Sequence, residues 1–410
     1  MYWTRARIIG LLGVVITLLL ALAVARNVGI TRISTLNISQ PNTHPGTPPL
    51  IAFHLPTVVT VVVLQAMLGL TGIWLFVRQP ARLVAPYVST LIGATLLTIL
   101  LWAIAGDATD LVDIFARVVR LATPITLGAL AGILCERSGV VNIGIEGMML
   151  FGACFAYIAA ITTGNSWLAV ATGMLVGAVI AALHAVLSIR FRIDQIISGT
   201  VINILAIGTT GFLRGSFITS YPNPKGGQLP NVPIPLLSNI PVLGPLLFNH
   251  QPITYITLIT VGVVHLLLFR TIWGLRTRAI GEAPKAADTV GINVNQMRAA
   301  NVIVSGLLAG LGGAWFSLEA TFRFDDVMTN GRGFIALAAM IFGKWTPLGA
   351  FGGALLFSSA DALQIRIQGF NFALPPQFLQ MLPYLVTMIV LAGVIGRARP
   401  PAAVGKPYEK

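Results

Sequence analysis

The chain has 410 residues, of which 56% are hydrophobic and only 10% charged, against roughly a quarter charged in an ordinary soluble domain. Its mean hydropathy of +0.85 excludes a water-soluble globular protein, because apolar runs of roughly 20 residues, long enough to cross a bilayer, recur along it. The formal charge of +13 does not point to nucleic acid either, since the basic residues stand singly or in twos at the ends of apolar runs, as topology determinants do.

Arg5 and Arg7 precede an apolar run at 8–25 that ends in small residues. That pattern also describes a cleavable signal peptide, but with so many spans following, an uncleaved first helix is the expectation. Further runs at 55–77, 83–105, 118–134, 140–163, 167–189, 195–214, 253–269, 299–320, 347–363 and 378–395 predict additional crossings. The run at 334–343 is too short to cross unaided and reads as a half-helix, tolerated where protein or a water-filled cavity surrounds it. The predicted fold is all-α, a polytopic transmembrane helix bundle of about 10–12 segments with broken or half helices.

Placing the N-terminus inside and alternating puts most of the 26 Lys and Arg, among them Arg78, Arg137, Arg190, Arg270, Lys285, Arg298 and Lys344, on the cytoplasmic side. Both termini are therefore expected in the cytoplasm. The other side collects Asp107, Asp110, Asp113, Asp325 and Asp326 with two Pro-rich loops, 41–49 and 222–245, which read as outer docking surface or as plain linkers. Gly306, Gly310, Gly312 and Gly313 read as a packing stripe that lets helix backbones approach closely in lipid. Cys135 and Cys154 lack metal-ligand spacing and read as small core residues.

Two stretches carry chemistry. In the long cytoplasmic loop at 270–298, Pro284 is placed to open a short helix and Gly291 to end it in a left-handed turn. Ala283, Ala286, Ala287 and Val290 fall at i, i+3, i+4 and i+7, one smooth face of small side chains. A helix of about two turns cannot stabilise itself in water, so that face needs a partner surface, either another protein or its own bundle. In the stretch 121–152, Glu136, Arg137, Asn142 and Glu146 stand among apolar residues, where a carboxylate costs on the order of 2.5–3.5 kcal/mol unless paired or wet. Gly139, Gly144 and Gly147 leave room for a broken helix, and Asn142 and Glu146, at i and i+4, would share one helix face. Glu136 and Arg137 read as marking a cytoplasmic turn. Glu146 either pairs with a basic neighbour to fix packing or faces a solute path. Asn203 reads as a solute contact or as interhelical glue, His184 and His265 as packing residues, and Asp361 as an interfacial residue near the outer end of its span.

The segments ERSGVVNIGIEGMMLFGA at 136–153 and GEAPKAADTVGIN at 281–293 resemble the permeases of ABC importers for branched-chain amino acids, ribose-type sugars and nucleosides, in the nucleoside and simple-sugar branch. The resemblance spans about 111–399 and implies a type II importer-like permease core at 111–400, with a coupling loop at 270–298 and a cytoplasmic tail at 401–410. Residues 1–110, with about three transmembrane helices, look like an extension beyond that core. The family implies that the helix near Gly281, Glu282, Ala283, Ala286, Ala287 and Gly291 docks on a cytoplasmic ATPase, that a binding protein delivers solute from outside, and that a second, non-identical permease completes the path. Asn142, Glu146 and Asn203 are the candidate path residues. No GxxxxGK[ST] loop is present, since Gly343 and Lys344 are followed by Trp345, so the chain is expected to be no enzyme, to bind no cofactor, and to leave ATP to its partner. The rival is an ion-coupled secondary transporter, against which the coupling loop argues; a membrane enzyme would need catalytic clusters that the sequence lacks.

Overall fold

The computed structural model describes residues 4–39, 49–221, 225–370, 381 and 399–409. Among them, ten helices are long and apolar enough to cross a membrane. In chain order the helices are α1 (Arg5–Asn27), α2 (Thr57–Arg78), α3 (Val84–Ala103), α4 (Leu111–Arg137), α5 (Ile145–Thr163), α6 (Ser166–Ala185), α7 (Gln195–Leu213), the short α8 (Leu243–Leu247), α9 (Pro252–Arg270), α10 (Ile272–Glu282), α11 (Pro284–Thr289), α12 (Val294–Trp315), α13 (Arg332–Phe342) and α14 (Pro347–Ile367). Short π-helical stretches, Val186–Arg190, Arg214–Ile218 and Phe316–Ala320, prolong α6, α7 and α12. The expected all-α polytopic architecture is thus met, and the run at 334–343 is the eleven-residue α13, too short to span. The last expected crossing, 378–395, lies outside the described residues.

The chain forms two compact units. The first holds described residues within 1–119, 233–249 and 356–397. Here α1 and α2 pack closely because Gly10 faces the Gly72 backbone, where a Cβ would stand 2.6 Å from the Gly72 carbonyl oxygen. A buried hydrogen bond from Gln65 Nε2 to Thr98 Oγ1, 2.6 Å, ties α2 to α3. A small sheet, not among the predicted elements, joins these helices. Strand β1 (Ile33–Ile38) pairs antiparallel with β2 (Ile51–Pro56) and parallel with β3 (Ala108–Asp110). Its alternation turns Ser34 and Leu36 inward, Leu36 joining an apolar cluster with Val24, Val58, Leu101 and Ile104. The Pro-rich stretch read as a loop falls between β1 and β2 and is mostly outside the described residues. Asp361, on α14, is buried.

The second unit holds described residues within 120–232, 250–355 and 398–410. Its centre is α5, α12 and the part of α4 from residue 120 on, with 72%, 72% and, for α4 as a whole, 89% of the apolar window buried, against 33% for α6 and α9. The glycine stripe on α12 makes the packing that its spacing suggested. A Cβ on Gly306 would lie 2.4 Å from the Gly177 carbonyl oxygen, one on Gly310 2.2 Å from that of Gly173, and one on Gly313 2.0 Å from that of Met149. The first two glycines admit α6 and the third admits α5. A backbone neighbour cannot rotate out of the way, so Gly310→Val should force the helices apart and destabilise the protein by at least the ~1–3 kcal/mol typical of overpacking. Gly262→Ala on α9, where a Cβ meets nothing within 4 Å, should be neutral or slightly stabilising. Melting of the two purified variants in detergent checks this, and equal Tm values would refute the close crossing.

Candidate functional site

α4 ends at Arg137 and α5 begins only at Ile145, not at 140 as the apolar run suggested. Between them lies a non-helical connection that is mostly buried, opened by Gly139 at φ +93°. Buried backbone away from water must find partners, and here side chains from three other helices supply them. Gln195 Oε1 accepts from the Val141 N–H at 2.7 Å. His184 Nε2 lies 3.0 Å from the Val141 carbonyl, which can only accept, so Nε2 carries the proton and Nδ1 accepts from the Ser198 hydroxyl at 2.9 Å. Asn203 Nδ2 donates to the Ile143 carbonyl at 3.0 Å, while its Oδ1 accepts from the Gly147 N–H at 2.8 Å. Arg298 Nε donates to the Ser138 carbonyl at 3.0 Å. His184 is therefore the satisfied packing residue expected, whereas His265 packs against the Phe269 ring with centroids 5.1 Å apart and has no hydrogen-bond partner on Nδ1.

Because the helix starts late, Asn142 and Glu146 do not share a helix face. Asn142 is fully buried, with Nδ2 3.6 Å from Cys135 Sγ and 3.5 Å from Met148 Sδ, and its Oδ1 has no hydrogen-bond partner. Cys135 also meets the Ser305 hydroxyl at 2.9 Å, so it joins a small polar contact, while Cys154 sits in an apolar cluster with Phe151 and Phe324. Glu146 is held by hydroxyl and backbone donors. Its carboxylate accepts from Thr329 Oγ1 at 2.6 Å, the Gly331 N–H at 2.8 Å and the Gly333 N–H at 2.6 Å, which places it at the N-terminus of α13. Unpaired N–H groups and the positive end of the dipole make that terminus a fitting anion site.

The other end of α13 is held as firmly. Lys344 and Trp345 both take positive φ, 53° and 54°, a costly conformation for bulky residues that the surroundings must enforce. Arg137 Nε donates to the Trp345 carbonyl at 3.0 Å and Nη2 to the Lys344 carbonyl at 3.4 Å, while the Trp345 indole donates to Glu136 Oε2 at 2.5 Å. Gly128 and Gly132 of α4 let α13 lie close, since a Cβ on either would meet Ala336 or Met340 within 3 Å. Glu136 and Arg137 do mark a turn, and they also clamp this one. Sequence reasoning missed Glu319, whose carboxylate accepts from the Ile253 N–H and from Thr254 Oγ1 at the start of α9. The same signal, a lone acid in an apolar run, could have found it.

At the α10–α12 connection Pro284 opens α11 and Gly291, at φ +83°, follows it, as the turn chemistry predicted. The expected single apolar face is divided. Ala287 is buried, 4% exposed, in a cluster with Ile280, Val294 and Tyr408, whereas Ala283, Ala286 and Val290 are exposed, Val290 to 75%. Burial and the adjacent Asp288 carboxylate push the Tyr408 phenol above its ordinary value. Glu282 and Lys285 line an open groove of about 670 Å³ with the C-terminal residues Ala402, Lys406 and Glu409. Gly281 is pressed on the end of α4, where a Cβ would lie 2.2 Å from the Arg137 carbonyl oxygen.

Comparison with known proteins identifies the family. The family described as branched-chain amino acid transport system / permease component matches residues 114–391. The guanosine ABC transporter permease protein NupQ of Bacillus subtilis is 40% identical over 318 residues, covering 73% of this chain and 99% of that one. The nucleoside ABC transporter permease protein NupC of Lactococcus lactis is 40% identical over 72% of this chain and 96% of its own. A putative glucose ABC transporter permease protein, TsgC13 of Haloferax volcanii, is 36% identical over 68% and 90%. No solved structure matches significantly. A multi-pass helical bundle, a half-helix clamped at both ends, and relatives matched over almost their whole length together assign the chain to the permease family of ABC transport systems.

Proposed function

We propose that the chain is the membrane-spanning permease subunit of an ATP-driven importer of nucleosides, set in the cytoplasmic membrane with both termini inside. It works with cytoplasmic ABC ATPase subunits, a second, non-identical permease and an extracytoplasmic binding protein. The observation that carries this reading is α11, a six-residue helix fixed to its own unit through Ala287 while Ala283, Ala286 and Val290 stand exposed. A helix this short is not stable alone, so an apolar surface held out on it suits docking into a partner groove, with Gly281, Glu282 and Gly291 shaping its ends. The inside placement of this connection is supported by the basic residues around it, Arg270, Arg276, Arg278, Lys285 and Arg298. A nucleoside is favoured because two relatives at 40% identity carry guanosine or nucleoside in their names, against glucose at 36%.

Asn142, Glu146 and Asn203 border the solute path in this reading. Asn142 offers the unpartnered Oδ1, and the other two hold the broken connection and the α13 terminus that shape it. Uptake of labelled guanosine by the complete transporter, with glucose as competitor, tests the substrate; glucose uptake without guanosine uptake would overturn it.

Two sets of variants follow. Val290→Asp or Ala286→Glu on the exposed face should strip the ATPase on co-purification while leaving the melting temperature of the permease unchanged. Ala287→Trp should instead lower the melting temperature, by overpacking of about 1–3 kcal/mol, because that residue is part of the fold. An ATPase that stays bound to Val290→Asp removes the docking role. For the path, Glu146→Gln puts an amide N–H₂ where backbone N–H donors converge and should cost roughly 1–3 kcal/mol for a buried group left unsatisfied. Guanosine uptake should fall while the complex still assembles, and unchanged uptake and stability would contradict the clamp.

A further inference from the structure

The C-terminal tail is not free. In sequence it is a Pro- and Ala-containing run with no signal for structure, yet Tyr408 is buried against Ala287, and the backbone of the tail bonds to two separate elements. The Ala403 N–H donates to the Gly281 carbonyl at 2.9 Å, at the end of α10, and the Ala402 N–H to Glu282 Oε2 at 3.2 Å. Two residues further on, the Gly405 N–H donates to the Gly139 carbonyl at 3.2 Å, in the connection between α4 and α5. Gly405 takes φ +76°, which lets the chain turn between these partners. Arg298 completes the junction. It is among the largest fully buried side chains, with Nε on the Ser138 carbonyl and Nη1 on the Lys406 carbonyl at 2.9 Å. Its remaining Nη2 has no hydrogen-bond partner, and a Cβ on Gly139 would lie 2.5 Å from it. Arg192 holds the far end of the tail through Glu409 at 2.8 Å.

We infer that the tail, with Arg298 as its positioning residue, is a strap that makes the α10–α11 connection and the Ser138–Gly139 turn move together. Resting on the docking role of α11, the strap carries displacement of that helix to the turn whose neighbours hold the broken connection and, through Glu136 and Arg137, the end of α13. A planar guanidinium is suited to this place because it bridges two carbonyls with fixed geometry, which an ammonium group cannot reproduce. The tail bonds both elements through backbone N–H groups, and its course is set by side chains, Tyr408 packed with Ala287 and Glu409 on Arg192, which a flexible Gly/Ser sequence lacks.

The test uses the complete transporter. The tail at 401–409 is replaced by a Gly/Ser sequence of equal length, and in a second variant Arg298→Lys is made. Melting temperature, co-purification of the ATPase, ATP hydrolysis and guanosine uptake are measured for each. The strap predicts assembled complexes that still hydrolyse ATP, with uptake per ATP reduced roughly tenfold, within the range that coupling free energies span. Normal uptake per ATP in an assembled tail variant would overturn it. If the tail variant fails to fold, Arg298→Lys decides by the same ratio, and loss of the ATPase from both variants would also overturn it, since the tail would then be docking surface. Val290→Asp separates the two ideas: if it strips the ATPase while the tail variants couple normally, the strap alone fails, and if the ATPase stays bound the docking reading itself fails.

Discussion

A stretch of buried backbone that is not helical must have its N–H and C=O groups bonded, and most of the second unit is arranged to do that for residues 138–144. In a membrane protein the alternative, an unsatisfied peptide group away from water, costs several kcal/mol per group. His184 from α6, Gln195 and Asn203 from α7 and Arg298 from α12 each give a side-chain hydrogen bond to this one connection. Their own positions are in turn fixed by the glycine contacts that bring α6, α12 and α5 within backbone distance. Polar side chains that look costly one by one in apolar sequence are thus a single structure whose members satisfy one another.

The half-helix α13 obeys the same constraint at its two ends. Its N–H groups end on Glu146, and the turn after it, with two bulky residues at positive φ, is kept by Arg137 and Glu136. Both grips come from the elements that flank the broken connection, α4 on one side and α5 on the other. The connection and the two ends of α13 are therefore joined by a continuous set of hydrogen bonds, the form of a half-helix supported by protein at membrane depth. Arg298 and the tail extend the same set of contacts to α11, a short helix whose Ala286 stands exposed with Val290 just beyond it.

Legibility in the sequence followed the strength of the local signal. Long apolar runs gave the crossings because backbone satisfaction within a helix leaves few other options in lipid, and Pro284 and Gly291 marked α11 because each has one strong conformational use. Glycines at 306 and 310 were readable as packing, though not which helix they would admit. What could not be read was pairing over distance. Asn203 as donor to Ile143, or Glu146 as cap for a helix starting 186 positions later at Arg332, depends on three-dimensional proximity that no periodicity encodes. Ala287 shared its spacing with Ala286 yet turned inward, because a tail far along the chain supplies Tyr408 to cover it. The sheet of the first unit was missed because Ile33–Ile38 and Ala108–Asp110 are short and flank much stronger apolar helices.

Hydrogen exchange at the connection tests the account most directly. In the purified permease, the Val141 and Gly147 amides should exchange slowly despite lying outside or at the start of a helix, because side chains of α7 hold them. Asn203→Leu removes one of these partners while keeping the volume, and it should speed exchange of a peptide covering 138–150 by roughly tenfold or more, the loss expected for a buried hydrogen bond of about 1–3 kcal/mol. Exchange of that peptide at the same rate in both proteins would show that the connection does not depend on the side chains said to hold it.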